Sequence, residues 1–270
     1  MSLYMLRRTG VYLFLSLAAF LSVFPFFWMA VGATNKSTEI ITGKMTPGSN
    51  LVVNFQTLLS QVDLWRVFGN SFLIAIVSTI LTLAVSSLAG YGFEIFRSRV
   101  RERIFQLLLL FLSIPFAALM VPLFVMISRA QLTNTFTAVI LPTIASIFIL
   151  FYFRQATKAF PSELRDAARV DGLKEWQIFL FVYMPTMRST YAAATIIVFM
   201  NAWNNYLWPL IVLQTPENKT ITLVISALTA AYTPDYGVIL LTTVLATLPT
   251  LVIFFVLQRQ FVQGMLGAVK

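Results

Sequence analysis

Residues 69–92, GNSFLIAIVSTILTLAVSSLAGYG, form an uncharged apolar run whose length decides the fold class of this chain. A helix needs roughly 20 residues to cross a bilayer, and backbone groups in lipid must bond within the helix. Five other runs are similar, and none of the 19 basic or 10 acidic residues lies inside any of the six. We therefore predict an all-α membrane protein with six transmembrane helices, near 11–32, 69–92, 104–128, 136–153, 189–213 and 237–258.

The overall composition agrees with this prediction and excludes several chemistries. Apolar residues make up 59% of the chain, the mean hydropathy is +0.83 and only 11% of residues are charged, as in membrane proteins. The absence of cysteine excludes disulfides and thiolate sites. The absence of histidine removes the commonest acid–base group and metal ligand.

The distribution of basic residues predicts the orientation. One side of the predicted bundle carries 14 Lys and Arg residues and the other carries 5, so the richer side is expected in the cytoplasm. The basic residues flank spans and form no groove for nucleic acid. The first run is about 22 residues long, beyond the usual 7–15 of a signal-peptide core, so we expect a retained helix. The predicted cytoplasmic segments are the N-terminus, 93–103, 154–188 and the C-terminus.

Prolines within the predicted spans indicate bent helices. A proline removes one backbone hydrogen bond, which neighbouring helices or polar groups must compensate. Such bends are either static packing kinks or features of helices that rearrange around a pathway. We find no internal repeat, and we predict one integral domain over 1–270, with a short surface helix near 54–67. The six prolines are Pro25, Pro115, Pro122, Pro142, Pro209 and Pro249.

The polar stretch 154–188 is the segment that predicts most about function. Its core, residues 163–172, reads ELRDAARVDG. Pro161 and Ser162 favour a helix start, and Gly172 favours a left-handed stop. Three small or apolar residues at positions i, i+3 and i+4 form one face of this first helix: Leu164, Ala167 and Ala168.

A second amphipathic helix follows in the same stretch. Its apolar stripe at i, i+3, i+4 and i+7 predicts packing against the ends of the bundle. Together the two helices form either a rigid lever held by another protein or an interfacial helix resting on lipid. The stripe is Trp176, Phe179, Leu180 and Tyr183.

Motifs in this stretch resemble a known family. Asp166-Ala167-Ala168, Asp171-Gly172 and Met184-Pro185 resemble the E-A-A, D-G and L-P signature of membrane permease subunits of binding-protein-dependent ABC importers. The resemblance extends over nearly the whole chain and is nearest to MalG-like permeases of carbohydrate importers. The further motifs are Asn70-Ser71, Ala89-Gly90-Tyr91, Val121-Pro122-Leu123, Ala202-Trp203-Asn204, Leu207-Trp208-Pro209-Leu210, residues 258–264 and Gly267-Ala268-Val269-Lys270.

The resemblance implies a type I ABC importer permease fold and a division of labour between subunits. In this family the stretch is a cytoplasmic coupling helix that sits in a groove of an ATPase. The implied partners are a second, MalF-like permease, two ATPase subunits that bind ATP and Mg, and an extracytoplasmic solute-binding protein that meets the loop 214–236. The chain itself needs no cofactor, and its expected location is the bacterial inner membrane with both termini cytoplasmic. The implied coupling residues are Glu163, Asp166, Ala167, Ala168, Asp171 and Gly172.

Two features depart from the family pattern. Asp166 stands where the signature usually has a glutamate, so its carboxylate is one methylene shorter, and Glu163 lies one helical turn earlier. The chain ends at Lys270 without the glycine that often follows it in the family. The C-terminal tail of such permeases can reach the ATPase interface.

Polar and aromatic residues in the fifth predicted span suggest a solute pathway. Amides deep in a span are costly unless they face partners or a wet cavity. Rings beside amides suit an uncharged sugar, although the amides could also join helices while a tryptophan anchors at the interface. The candidate pathway residues are Asn201, Trp203, Asn204, Asn205 and Trp208.

Other functions fit the sequence less well. A membrane-embedded enzyme would need a nucleophile, a metal cluster or paired acids, which the spans lack. An ion-coupled secondary carrier commonly has an intramembrane acid or inverted repeats, and neither is apparent in this sequence. No phosphate-binding glycine loop with its lysine is present, so if transport is driven by ATP, the nucleotide must bind another subunit. We predict a non-enzymatic sugar permease; the alternatives are an ion-coupled carrier and an ABC permease for a different uncharged solute.

Overall fold

The protein is helical throughout the part that the structure describes. This computed structural model describes residues 2–267, with side chains from residue 7 to residue 259, and that range contains helices and no strand. The all-α prediction is therefore confirmed there. The helices are α1 (Ser2–Gly32), α2 (Ser37–Ile41), α3 (Leu51–Gln61), α4 (Leu64–Ile95), α5 (Arg99–Phe111), α6 (Phe116–Arg129), α7 (Phe136–Ile144), α8 (Ile147–Thr157), α9 (Ser162–Val170), α10 (Glu175–Ile178), a π-turn (Phe179–Tyr183), α11 (Met184–Thr186), α12 (Arg188–Trp203), α13 (Leu207–Val212), a 3₁₀ turn (Pro216–Asn218), α14 (Ile221–Thr229) and α15 (Tyr236–Gly267).

Four described helical segments are long and apolar enough to cross a membrane, and a fifth span arises if α5 and α6 count as one. The four are Arg7–Gly32, Leu64–Ile95, Phe136–Thr157 and Tyr236–Arg259. They match the predicted spans near 11–32, 69–92, 136–153 and 237–258. The motif at 268–270 lies outside the described residues.

The predicted third span, 104–128, is not one straight helix. It consists of α5 and α6, which meet at a bend of 101°. The break falls at residues 112–115 and ends on Pro115, which caps α6 in an extended conformation. Proline lacks the amide hydrogen that would continue α5, and it disfavours helical geometry in the residue before it.

The predicted fifth span, 189–213, is divided in the same way. The helix α12 ends at Trp203 and α13 begins at Leu207, so neither part alone has the length of a span. Pro209 has no amide hydrogen to return to the carbonyl of Asn205, four residues earlier. The Thr222 hydroxyl donates to that carbonyl over 2.9 Å instead.

The fold is organised as two compact units, and the first consists of Met1–Leu64 and Val224–Leu248. Its polar centre is the side-chain amide of Asn54, which donates to the Ala33 carbonyl over 2.8 Å and to the Asn35 carbonyl over 3.1 Å. The surface helix predicted near 54–67 instead ends at Gln61, and a two-residue break precedes α4. The single-domain organisation of 1–270 stays a prediction.

The second unit consists of Trp65–Leu223 and Pro249–Lys270, and within it α4 packs closely against α8 at Gly90. A Cβ atom at Gly90 would lie 2.7 Å from the Phe153 Cβ and 2.8 Å from the Arg154 nitrogen. Only glycine lets the two backbones come so near. A buried ionic contact continues this packing, because the Arg154 guanidinium bonds Glu94 of α4 over 3.3 Å and Glu102 of α5 over 2.5 Å.

The close approach at Gly90 predicts a position-specific effect of added volume. We expect Gly90→Ala to lower the free energy of unfolding by about 1–3 kcal/mol, because the new methyl group overpacks α4 against the backbone of α8. Gly92→Ala is the matched control: a Cβ there meets nothing within 4 Å. Removing a helical glycine at that site should leave stability unchanged or raise it by about 0.5–1 kcal/mol. Thermal unfolding in detergent measures both, and equal stability of the two variants would contradict the packing argument.

Candidate functional site

The first helix of the loop 154–188 ends as the sequence predicts. Gly172 has a φ of +82°, in the left-handed region. Its amide donates to the Arg169 carbonyl and the next amide, of Leu173, donates to the Ala168 carbonyl, both over 3.0 Å. This pair of bonds is a Schellman motif, which closes α9 and lets the chain reverse. Nothing lies within 4 Å of a Cβ built on Gly172, so the glycine is required by conformation and not by space.

The predicted small-residue face of α9 is divided between the interior and the surface. Ala168 is buried, whereas Leu164 and Ala167 are exposed. Val170 extends the exposed apolar side and is 88% exposed. The exposed apolar surface of α9, called the knob below, consists of Leu164, Ala167 and Val170, with Ala168 packed beneath it. The carboxylates of Glu163, Asp166 and Asp171 are exposed around it.

The second helix of the loop contains a π-turn that changes its buried face. Tyr183 and Phe179 are buried as predicted, but Trp176 and Leu180 of the predicted stripe are exposed. The Met184 amide donates to the carbonyl of Phe179, five residues earlier, in the wider π geometry. This spacing places Ile178, which is fully buried, on the same face as Tyr183, five residues later. The prediction of one regular amphipathic helix was wrong for this reason.

A cluster of aromatic rings packs the loop 154–188 against α4. The Tyr183 ring lies 4.8 Å from Tyr91 of α4 and 5.3 Å from Phe160 and Phe179, centroid to centroid. The Thr157 hydroxyl donates to the Phe153 carbonyl over 2.7 Å, so the bond of 2.7 Å between Thr157 and Tyr183 uses the Tyr183 hydrogen. Burial raises the pKa of Tyr183, which keeps this phenol protonated as the donor.

Glu175 joins α9 to the helices around it, and the sequence reading missed it. Arg165 donates to its two carboxylate oxygens over 2.7 and 3.3 Å, and Arg169 donates over 3.3 Å. The Tyr91 hydroxyl donates over 3.2 Å. The hydrogen bonds from Arg165 hold the pKa of Glu175 below its ordinary 4.5, so this interaction stabilises the fold above that pH and is lost as the pH falls through the lowered pKa. Arg165 and Glu175 are ten residues apart and lie on different helices, so no periodic pattern in the sequence indicates that they form an ion pair.

A cavity of about 550 Å³ lies in the second unit, where α4 faces the break between α7 and α8 and the end of α12. Its volume falls within the range of roughly 300–1,000 Å³ that is usual for small-molecule sites. No charged side chain stands among the described residues that line it, and Phe116 and Phe148 supply aromatic surface. The polar lining residues are Ser78, Thr82, Thr143, Ser146, Asn201 and Asn205.

One lining hydroxyl is left without a partner. The Ser78 side-chain oxygen is buried and makes no hydrogen bond with the described residues. Buried hydroxyls are almost always bonded, so this unpaired group beside the cavity is an exception within the protein. Thr82, one turn further along α4, donates to the Thr143 carbonyl over 3.0 Å, close to the end of α7.

The predicted pathway residues separate into two groups. Asn201 and Asn205 line the cavity, whereas Trp203 and Asn204 are not among its lining residues. Trp203 is buried against Phe72 at 4.8 Å and Phe199 at 5.7 Å, centroid to centroid. Asn204 is exposed at the end of α12. The roles assigned to these residues from the sequence stay predictions.

Trp208 is fully buried and compensates for a proline. Pro142 has no amide hydrogen to donate to the Ala138 carbonyl, four residues earlier in α7. The Trp208 indole nitrogen donates to that carbonyl over 2.8 Å. Trp208 is therefore not among the residues that line the cavity, and its roles as a pathway residue or an interfacial anchor stay predictions.

Two asparagines organise the segment 215–219, which lies in the loop 214–236. The Asn70 amide donates to the carbonyls of Glu217 and Lys219 over 2.8 and 3.1 Å. The Asn134 side-chain oxygen accepts from the amides of Gln214 and Thr215 over 3.0 and 3.2 Å. The segment is thus a defined surface built on α4 and the α6–α7 connection.

Comparison with known proteins gives one family and several similar permeases. Residues 84–267 match the family described as the binding-protein-dependent transport system inner membrane component. The chain is 64% identical to the lactose transport system permease protein LacG of Rhizobium radiobacter, over 96% of this chain and 95% of that protein. It is 38% identical to the arabinooligosaccharides transport system permease protein AraQ of Halalkalibacterium halodurans, over 93% and 92%.

More distant similarity extends to other permeases. The sn-glycerol-3-phosphate transport system permease protein UgpE of Escherichia coli (strain K12) is 29% identical over 92% of both chains. A crystal structure of a bacterial ABC transporter involved in the import of the acidic polysaccharide alginate shares the fold. Its TM-score is 0.83, with 16% identity over 94% of this chain and 97% of that one.

The bond between Trp208 and Ala138 predicts a stability effect that ring packing alone would not give. We expect Trp208→Phe to lower the free energy of unfolding by about 1–3 kcal/mol beyond any loss of contact, because it leaves a buried carbonyl without a donor. Trp176→Phe is the control, since Trp176 is exposed. Thermal unfolding of the two purified variants is the measurement. Matching stabilities would show that the indole hydrogen bond is unimportant.

Proposed function

Because the chain belongs to the family of binding-protein-dependent transport system inner membrane components and is a permease subunit of an ABC importer, we propose that its solute is an uncharged sugar. The observation that carries this proposal is the cavity between α4, the α7–α8 break and α12. Its hydroxyls and amides can exchange hydrogen bonds with sugar hydroxyl groups, and its phenylalanines offer surface to the apolar face of a sugar ring.

The chemistry of the cavity separates possible solutes. Cationic groups would favour an anionic solute, and the described lining residues carry no charge. The 64% identity to a lactose permease and the 38% identity to an arabinooligosaccharide permease favour the same class. The glycerol-3-phosphate permease is less similar, at 29% identity. We infer a mono- or oligosaccharide as the solute, with the ion-coupled carrier set aside by the family.

The exposed knob of α9 is the proposed contact with an ATPase subunit. Val170 is 88% exposed, and Leu164 and Ala167 flank it with the carboxylates of Glu163 and Asp166. An apolar surface rimmed by charge is typical of a protein interaction site. The family motifs imply that this surface fits into a groove of a cytoplasmic ATPase. ATP and Mg would bind to the ATPase subunits, since the chain itself is a transport subunit and not an enzyme.

The proposed mechanism is alternating access driven through this loop. Nucleotide binding would draw the two ATPase subunits together and displace α9. The displacement would pass to α8 and α12, which the loop joins, and would open the cavity to one side of the membrane and then to the other. A second permease would complete the pathway, and an extracytoplasmic solute-binding protein would deliver the sugar to the surface that includes residues 215–219.

The proposal also fixes span number and orientation. The bent pair α5–α6 and the interrupted pair α12–α13 would each count as one span, which gives six with the four uninterrupted segments. Both termini and the loop 154–188 would then lie in the cytoplasm, as the basic residues indicate. The six spans would form one integral-membrane domain in the bacterial inner membrane.

Orientation and ATPase contact can be tested together, because the chain has no native cysteine. We expect Val170→Cys to react with a membrane-impermeant maleimide only after cells are permeabilised, and to crosslink to a cysteine in the ATPase groove. Trp65→Cys, at an 86% exposed position on the predicted outer side, should react in intact cells and should not crosslink. Labelling of Val170→Cys in intact cells would contradict the proposed orientation.

The cavity predicts which polar substitutions affect transport. We expect Ser78→Ala and Asn201→Ala to lower sugar uptake about tenfold or to raise the KM similarly, since each removes a hydrogen bond to solute. Ser78→Ala should leave thermal stability unchanged or higher, because the hydroxyl it removes has no partner. Gln61→Ala is the control: it removes an exposed amide at the end of α3, outside the cavity. Radiolabelled sugar uptake with the binding protein is the measurement, and equal loss in the control would argue against this cavity.

A further inference from the structure

We propose that Glu175, at the start of α10, and Tyr91 of α4 link α9 to α4 through Arg165, so that movement of α9 reaches the second span without passing along the chain. Both are positioning residues that act through the helices they join. The proposal rests on the proposed function, in which α9 receives force from an ATPase. It goes beyond that function because the loop is covalently continuous only with α8 and α12, and α4 lies 60 or more residues earlier.

On the α9 side the attachment is bidentate and partly shielded from water. The Arg165 guanidinium donates to the two oxygens of Glu175 over 2.7 and 3.3 Å, and Arg169 adds a third bond over 3.3 Å. The Arg165 side chain is 16% exposed and that of Glu175 is 28% exposed. A fork that engages both oxygens fixes the angle between α9 and α10 as well as their distance.

On the α4 side the attachment is a single hydroxyl on a fixed ring. The Tyr91 hydroxyl donates to a Glu175 oxygen over 3.2 Å. Tyr91 is 4% exposed, and its ring packs against Phe179 at 5.3 Å and Tyr183 at 4.8 Å. The Arg165 guanidinium also lies 5.3 Å above the ring of Phe96, just beyond the end of α4. Two residues at one end of α4 therefore contact the same ion pair.

The attachment ends on the helix that lines the cavity. Ser78 and Thr82 lie on α4, 13 and 9 residues before Tyr91, which corresponds to about 20 and 14 Å along a helix. Close packing of α4 on α8 at Gly90 holds this end of α4 against its neighbour, so this contact would act as the pivot of a tilt. A tilt imposed at Tyr91 would therefore change the position of the cavity hydroxyls relative to Asn201.

The decisive variant is Tyr91→Phe, which removes the hydroxyl and keeps the ring contacts. Tyr191→Phe is the matched control: it deletes the same group from a ring that packs against the same aromatic cluster, but that hydroxyl makes no hydrogen bond to the described residues of the loop helices. Both variants are assayed as the complete permease–ATPase complex in proteoliposomes with binding protein and sugar. The readout is the number of sugar molecules imported per ATP hydrolysed, which a purely structural defect would not change in the remaining folded complexes.

We expect Tyr91→Phe to lower sugar imported per ATP by about three- to tenfold, while Tyr191→Phe keeps the wild-type ratio. Glu175→Ala should lower the ratio at least as much. Glu175→Gln should recover most of it, because its amide oxygen can still accept from Tyr91 and Arg165. A wild-type ratio in Tyr91→Phe, or an equal loss in Tyr191→Phe, would overturn the proposal.

A separate measurement distinguishes this outcome from failure of the proposed function. If Val170→Cys crosslinks to the ATPase and Tyr91→Phe transports with a wild-type ratio, the attachment to α4 is wrong and the coupling role of α9 stands. If Val170→Cys never crosslinks in a complex that hydrolyses ATP, the proposed function fails whatever Tyr91→Phe does, and the proposal falls with it.

Discussion

The structure depends on hydrogen-bond donors for carbonyl groups inside an apolar bundle. Prolines and helix breaks leave these carbonyls without the backbone donor that a regular helix would supply. Without water in the hydrocarbon region, each such carbonyl needs a donor from the protein. The Trp208 indole serves Ala138, the Thr222 hydroxyl serves Asn205, and the Thr82 hydroxyl serves Thr143. Each donor comes from a different helix or segment than its acceptor, so the bends themselves are joined to their neighbours.

These compensated breaks create the cavity. Straight helices would pack along their whole length, whereas the interruption between α7 and α8 and the end of α12 leave space beside α4. The donors needed to stabilise the breaks also make the surrounding surface polar without making it charged. The Ser78 hydroxyl is the one polar group on the α4 side of the cavity, among the described residues, that remains without a partner. A polar, uncharged solute suits such a surface.

The loop 154–188 uses a different kind of interaction at the edge of the bundle. Aromatic rings beneath it bury apolar surface, while Glu175 collects donors from α9 and α4. Charged hydrogen bonds of this kind are directional, and they hold the exposed knob of α9 in one orientation. The fold thus presents Val170 outward while the rest of the loop is fixed.

The sequence by itself determined the helical class, most of the spans, the Gly172 stop and the family. Long uncharged runs, proline and glycine positions and short motifs are local, and each has a physical effect that needs no partner. The bends of 104–128 and 189–213 were indicated only by their prolines, and the π-turn at Phe179–Tyr183 gave no signal.

Tertiary structure alone decided which side chains meet. Asn201 and Asn205 line the cavity while Trp203 and Trp208 are core residues, although all four lie within one short polar and aromatic stretch. Glu175 and Tyr91 are 84 residues apart and lie within hydrogen-bond distance. A linear pattern reports the direction of a residue on its own helix. What it faces depends on helices distant in sequence, and here those helices decide which residues line the cavity and which pack between helices.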